Sequence, residues 1–222
     1  MDERVKAKRR YDSPRRREQA AVTRREILEA AERLFARDGY GATTMAAIAA
    51  EARVALKTVY VAFETKSGVL RALWNLRLRG ERDELPVAQQ QWYLHVMQEP
   101  DPERQLRRTA ENSRAVKLRI GAVLKIIGEA APIDPDIAAL WRRIQTEFRA
   151  NQRTIAQSLA DKRALAPDTD VERAADILWT INHPYLWQLL VGERGWSPED
   201  YEHWCADTLC AQLLHAGDDT PA

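Results

Sequence analysis

Apolar residues recur at helical spacing along most of the chain, and no stretch alternates with a period of two. That pattern predicts an all-α protein without a sheet. The first clear stripe is Ile27, Leu28, Ala31, Leu34 and Phe35, at i, i+1, i+4, i+7 and i+8. Thr23 and Glu26 have capping-box spacing, which predicts a helix start at Thr23, and Gly39 predicts its stop. Met45, Ile48, Ala49 and Ala52 make a second apolar face, with the Thr44 hydroxyl placed to cap it. Val54 is an apolar plug before a short helix from Leu56 to Ala62. A helix of that length exists only by packing, so its outward Leu56, Lys57, Thr58 and Tyr60 are available for another task. Two short helices joined by a tight turn form a helix-turn-helix, whose second helix enters the DNA major groove.

Downstream, the pattern predicts a helix from Gly68 to about Glu84, then a linker from Val87 to Pro100 carrying Trp92 and Tyr93. A long helix follows over Pro102 to Ala131, with proline at its start where the missing N–H costs nothing. Asp134-Pro135 opens another, running through Trp141, Ile144, Phe148, Ile155 and Leu159 to about Leu165. A third spans Val171 to about Val191. Pro184 interrupts it and is expected to free the Thr180 carbonyl. Gly195-Trp196-Ser197-Pro198 is a break with a fresh cap, and the last helix runs from Pro198 to His215.

Charge divides the chain in the same place as the pattern. The net charge is +1, but residues 1–70 carry +5 and residues 71–222 carry −4. A basic head on an acidic body suits a polyanion at one end. Eight of the basic residues, including Arg15, Arg16 and Arg17, fall between Arg4 and Arg17. That arm lacks apolar periodicity and is expected to be flexible. It has no following apolar region of a signal peptide, and no run reaches the roughly 18 apolar residues of a membrane span, so a cytoplasmic protein is expected. Cys205 and Cys210 fall on different faces of one helix, which suits reduced thiols rather than a disulfide or metal site.

Enzyme chemistry finds no foothold. The chain has no Gly-rich phosphate loop, no G-x-S-x-G, no H-E-x-x-H and no C-x-x-C. Its histidines, at 95, 183, 203 and 215, are scattered, and Asp134 and Asp136 are explained by a helix dipole. No cofactor is expected.

Residues 23–70 resemble the DNA-binding domain of the TetR family of bacterial repressors. The resemblance is carried by Arg24, Ile27, Ala31, Phe35, Gly39-Tyr40, Thr43-Thr44, Ile48-Ala49, Val54, Thr58-Val59-Tyr60, Phe63, Lys66 and Leu70. Three positions depart from it. Arg53 replaces a turn glycine, Ala55 replaces a Ser or Thr cap, and Ala62 stands where histidine is frequent. The resemblance implies a flexible arm over 1–20, a helix-turn-helix domain over 21–66, a larger helical domain for effector binding and dimerisation over 67–216, and a tail over 217–222.

Transferred to this chain, it implies double-stranded DNA as partner, contacted by Thr44, Leu56, Lys57, Thr58, Tyr60 and Lys66 with help from the arm. It implies a homodimer formed by the final two helices, through Leu178, Tyr185, Leu189, Tyr201, Trp204, Cys205, Thr208, Leu209 and Gln212. It also implies a small-molecule effector. Aromatic residues converging from several segments can line an apolar cavity, here Trp74, Trp92, Trp141, Phe148 and Trp179, with Asn151, Asn182 and His183 as polar groups. Two alternatives stay open: an architectural DNA-binding protein without an effector, and a helical protein–protein adaptor.

Overall fold

The computed structural model describes residues 14–79 and 87–215, and divides the chain into two compact units, 1–70 and 71–222. In the first unit, α1 (Pro14–Ala42) is followed by α2 (Met45–Glu51) and α3 (Leu56–Phe63). Helix α1 begins well before Thr23, which therefore lies inside it and caps nothing at its start. The cause is composition: after Pro14, residues 15–22 are mostly Arg, Glu, Gln and Ala, all strong helix formers. Residues 14–20, expected in a flexible arm, are thus helical, whereas the basic positions from Arg4 to Arg10 lie outside the described residues.

Gly39 breaks α1 with φ 80° and ψ 158°, a conformation that costs glycine little. Its carbonyl receives the Thr43 hydroxyl at 2.8 Å, which closes the corner into α2. Ile27, Ala31, Phe35, Ile48, Val59 and Phe63 are all buried, so the two stripes read from the sequence face inward together with the inner side of α3.

Helix α4 (Lys66–Arg79) starts in the first unit and ends in the second. It was expected to reach Glu84, but residues 80–86 lie outside those described. Residues 87–100 are not a linker. Val87–Gln89 is a 3-10 turn and Gln91–Gln98 is helix α5, with Tyr93 and Val96 buried. The long helices stand as expected: α6 (Pro102–Ala130) and α7 (Pro135–Asp161), capped by Asp101 and Asp134. Helix α8 (Val171–Ile181) gives way at Asn182-His183 to a short α9 (Pro184–Trp187), which runs on as a π-helical turn over Gln188–Glu193. The Thr180 carbonyl is not freed, because the His183 N–H donates to it at 3.1 Å. The last helix, α10 (Pro198–Leu213), opens on a full capping box between Ser197 and Asp200.

Helix α7 packs on α8, and α10 lies against α6 and α8. Leu106, Ile155, Leu159, Leu178, Tyr201, Cys205, Leu209 and Leu213 form their shared core. Four of these, Leu178, Tyr201, Cys205 and Leu209, were expected at a dimer interface. Each is fully covered within a single chain, so they hold the subunit together instead.

Candidate nucleic-acid interface and interior cavity

Helix α3 has two sides with different work. Val59 and Phe63 point into the core, while Leu56, Lys57 and Tyr60 lie exposed and Thr58 is half-buried. Val61 is 76% exposed and belongs with that outer group, although the sequence reading passed it over. Its signal was available, since 56, 57, 60 and 61 share one face at helical spacing. Ala55 precedes the helix with no side-chain cap, as its small side chain requires. Arg53 takes the glycine-like turn conformation at φ 55°, a region that costs a non-glycine residue about 1–2 kcal/mol.

Thr44 is exposed, and its hydroxyl oxygen accepts from the Ala47 N–H at 3.1 Å. The hydroxyl proton remains to be donated outward. Arg16, Arg17 and Lys57 are exposed as well, and nothing is described of the Arg15 side chain.

Two cations, exposed Arg24 and half-buried Lys66, fix where α3 stands. The Arg24 guanidinium donates to the Ala62 carbonyl at 2.7 Å and lies 4.2 Å from the Phe63 ring centre. Partial burial lowers its pKa. Lys66, expected to take a phosphate, is turned the other way. Its Nζ donates to the carbonyls of Tyr40 and Thr43 at 2.7 and 2.9 Å and lies over the Tyr40 ring. Both carbonyls belong to the corner that follows the Gly39 break, so the ammonium ties that corner to the start of α4. Between α3 and α4, Gly68 allows an unusually close approach: a Cβ there would sit 2.2 Å from the Phe63 carbonyl oxygen.

The second unit holds a cavity of about 150 Å³. A volume of that order accommodates a small aromatic molecule. Trp74, Trp92, Phe148, Asn151 and Asn182 line it, as expected, together with Ile120, Leu124 and Ile144. Trp141, Trp179 and His183 do not. Trp141 lies 6.0 Å from the Tyr185 ring, Trp179 meets His183 edge-on at 4.8 Å, and His183 bonds Gln145 from behind the wall. All three take part in ring contacts around His183 and Tyr185, at the α8–α9 break, and none lines the cavity.

One lining residue had no place in the sequence reading. Lys117 is only 5% exposed and its ammonium donates to the Ser113 hydroxyl. It stands 5.0 Å from the Tyr201 ring, and burial pushes its pKa down to about 8. Burial also pushes the nearby Cys205 thiol up to about 11, so that sulfur is neutral near pH 7.

On the outside of the same unit, Tyr185 and Leu189 are 47% and 48% exposed, and exposed Trp196 meets half-buried Trp204 edge-on at 6.1 Å. Thr208 is half-buried and Gln212 exposed. Tyr185, Leu189, Trp204, Thr208 and Gln212 are the members of the expected interface that a partner could reach, and Trp196 was not among those expected. No helix among the described residues is long and apolar enough to cross a membrane, and no cluster there could hold a metal ion.

Comparison with known proteins bears on the family and the fold. Residues 27–73 match the model for bacterial regulatory proteins of the tetR family. The chain is 27% identical to the HTH-type transcriptional repressor BepR of Brucella suis over 81% of its own length and 86% of that protein's. It shares its fold with the NalD repressor of a multidrug efflux pump in Pseudomonas aeruginosa, at 21% identity and a TM-score of 0.71, over 90% of this chain and 99% of that one. A transcriptional regulator from Saccharomonospora viridis, solved with choline, is similar at 19% identity and a TM-score of 0.67, over 88% and 99%.

Proposed function

The chain belongs to the tetR family of bacterial regulatory proteins through its residues 27–73, and from that premise we propose a homodimeric repressor released from its operator by a small molecule. The observation that carries this reading is the division of α3 into a buried side and an exposed one, Leu56, Lys57, Tyr60 and Val61, on a helix clamped at its end by Arg24. Lys57 and Thr58 would reach base edges or adjacent phosphate, and Tyr60 and Val61 would lie against thymine methyls or the sugar–phosphate backbone. Thr44 and the arginines at the start of α1 would bind phosphate. The half-sites would stand about 34 Å apart, one helical turn, so two copies are needed. Tyr185, Leu189, Trp196 and Trp204, apolar side chains left exposed or half-buried in the last helices and the break between them, would help to join them.

Release would run along α4, which carries Lys66 at one end and the cavity-lining Trp74 and Leu78 at the other. A ligand acts only through its preference between the DNA-competent state and the other. Coupling of about 1–3 kcal/mol weakens DNA binding roughly 5- to 150-fold.

Fluorescence anisotropy on the DNA flanking the gene tests this reading, with wild type and Tyr60→Ala compared against a scrambled duplex. Tight selective binding that Tyr60→Ala loses is the expected result. Equal binding to both duplexes would replace the operator reading with a nonspecific architectural role.

A further inference from the structure

The interior cavity is not a neutral apolar hole. Lys117 occupies a place in α6 where the spacing Ser113, Lys117, Ile120, Leu124 turns one face inward, and all four line the cavity. A buried ammonium is costly unless an anion accompanies it. Among the described residues no carboxylate lies within ion-pair distance of Lys117, and its one hydrogen-bond acceptor is the Ser113 hydroxyl. Glu147 also lines the cavity, but its side chain is largely exposed and faces Arg143 at 3.8 Å, so it belongs to the rim.

A second group points to the same chemistry. The Tyr185 N–H donates to Nδ1 of His183 at 3.2 Å, so the proton of the neutral ring sits on Nε2. That nitrogen faces Oε1 of Gln145 at 3.1 Å and must donate to it. The Gln145 amide is thereby oriented with its Nε2 buried and lacking any acceptor. The lining therefore contains an ammonium without a counter-charge and an amide donor without a partner, and both lack the same thing.

We propose that this cavity binds a small amphipathic monoanion, a carboxylate on a compact aromatic or aliphatic body. The carboxylate pairs with Lys117, and the body lies among Trp74, Trp92, Phe148, Ile120 and Leu124. The inference rests on the reading of the cavity as the effector site. Three aromatic rings could equally cage a cation, and a fold relative was solved with choline. Here a fixed ammonium inside the wall opposes that occupant.

Tryptophan quenching by benzoate and 1-naphthoate, by their primary amides and by choline tests the assignment on the full-length protein. Saturable quenching by a carboxylate, at least about tenfold tighter than by its amide, is expected from a charge-assisted pair. Lys117→Met keeps the apolar stem and should bring carboxylate and amide to within about threefold. Should that variant fold poorly, the wild type supplies an independent measurement. Carboxylate affinity should fall between pH 7 and 9.5 while amide affinity stays level, since Lys117 loses its proton there. Tyr201, Cys205 and His183 face the ammonium, but none becomes more cationic over that range, so none supplies a replacement charge. Equal affinity for acid and amide, preference for choline, an unaffected Lys117→Met, or no saturable quenching by either carboxylate would overturn the proposal. Anisotropy on the operator duplex in the same samples separates the two readings. Selective carboxylate binding that leaves duplex affinity unchanged upholds the anion site and removes the effector mechanism. Duplex release by amides or choline upholds the mechanism and removes the anion site.

Discussion

Lys66 illustrates how a side chain can have the charge for one role and the geometry for another. Its ammonium is spent on the carbonyls of Tyr40 and Thr43. Lys66→Met should therefore lower stability by about 1–3 kcal/mol, as for lost bonds to a charged group, while leaving the salt slope of DNA binding unchanged. Thermal melts with a salt titration check both. A slope reduced by about 0.9 per subunit would return Lys66 to the phosphate contacts. Lys117 makes a prediction of opposite character. Its folded pKa of about 8 lies below its unfolded value of 10.5, so the unfolded chain holds the extra proton between these limits. Stability from this group consequently rises as pH rises from 8 to 10.5, by about 3 kcal/mol in all. Cys205 and Tyr201, whose folded pKa values are raised, oppose it above about pH 9. The difference between wild type and Lys117→Met isolates the lysine. Lys117→Met should be the more stable below pH 8, and denaturant melts should show that advantage shrinking as pH approaches 10.5.

At the scale of elements, what could be read in advance depended on how many residues shared a pattern. The stripe from Ile27 to Phe35, the face from Met45 to Ala52, and the starts of α6 at Pro102 and of α7 at Asp134-Pro135 were each followed by a consistent helical pattern, and all became elements. Helix α5 escaped because Gln90 supplies no side-chain cap and prolines at 86 and 100 flank its eight residues, so its apolar face was read as a linker. The last helices show a different limit. A wide apolar arc says that a helix is buried on several sides, but not whether the cover comes from its own chain or a twin. Leu178 and Leu209 are covered from within, whereas Tyr185 and Leu189 are not. Tyr185→Arg combined with Leu189→Arg should therefore convert the proposed dimer to a folded monomer, with sedimentation showing the halved mass and circular dichroism unchanged. A corresponding pair at Leu178 and Leu209 should unfold the subunit. The cavity was half legible for the same reason. Aromatics advertise themselves in a sequence, but which of them face inward depends on the α8–α9 break, and a lysine within an apolar stripe was readable only after the stripe had been traced.

For the molecule as a whole, affinity for DNA should depend steeply on salt, with a log–log slope of about −0.9 for each phosphate neutralised by the two subunits. Anisotropy titrations across several salt concentrations would measure it, and a flat response would exclude a phosphate-tracking interface. The basic head also implies that salt acts on DNA binding far more than on folding. The lone ammonium in the cavity has one more consequence, and it concerns heat rather than affinity. A carboxylate settling beside Lys117 raises the pKa of that group, so near pH 8 complex formation draws roughly half a proton from the medium. Calorimetry in phosphate and in Tris, whose ionisation enthalpies differ widely, would then return different apparent enthalpies for one and the same ligand. The slope between them would count the protons taken up.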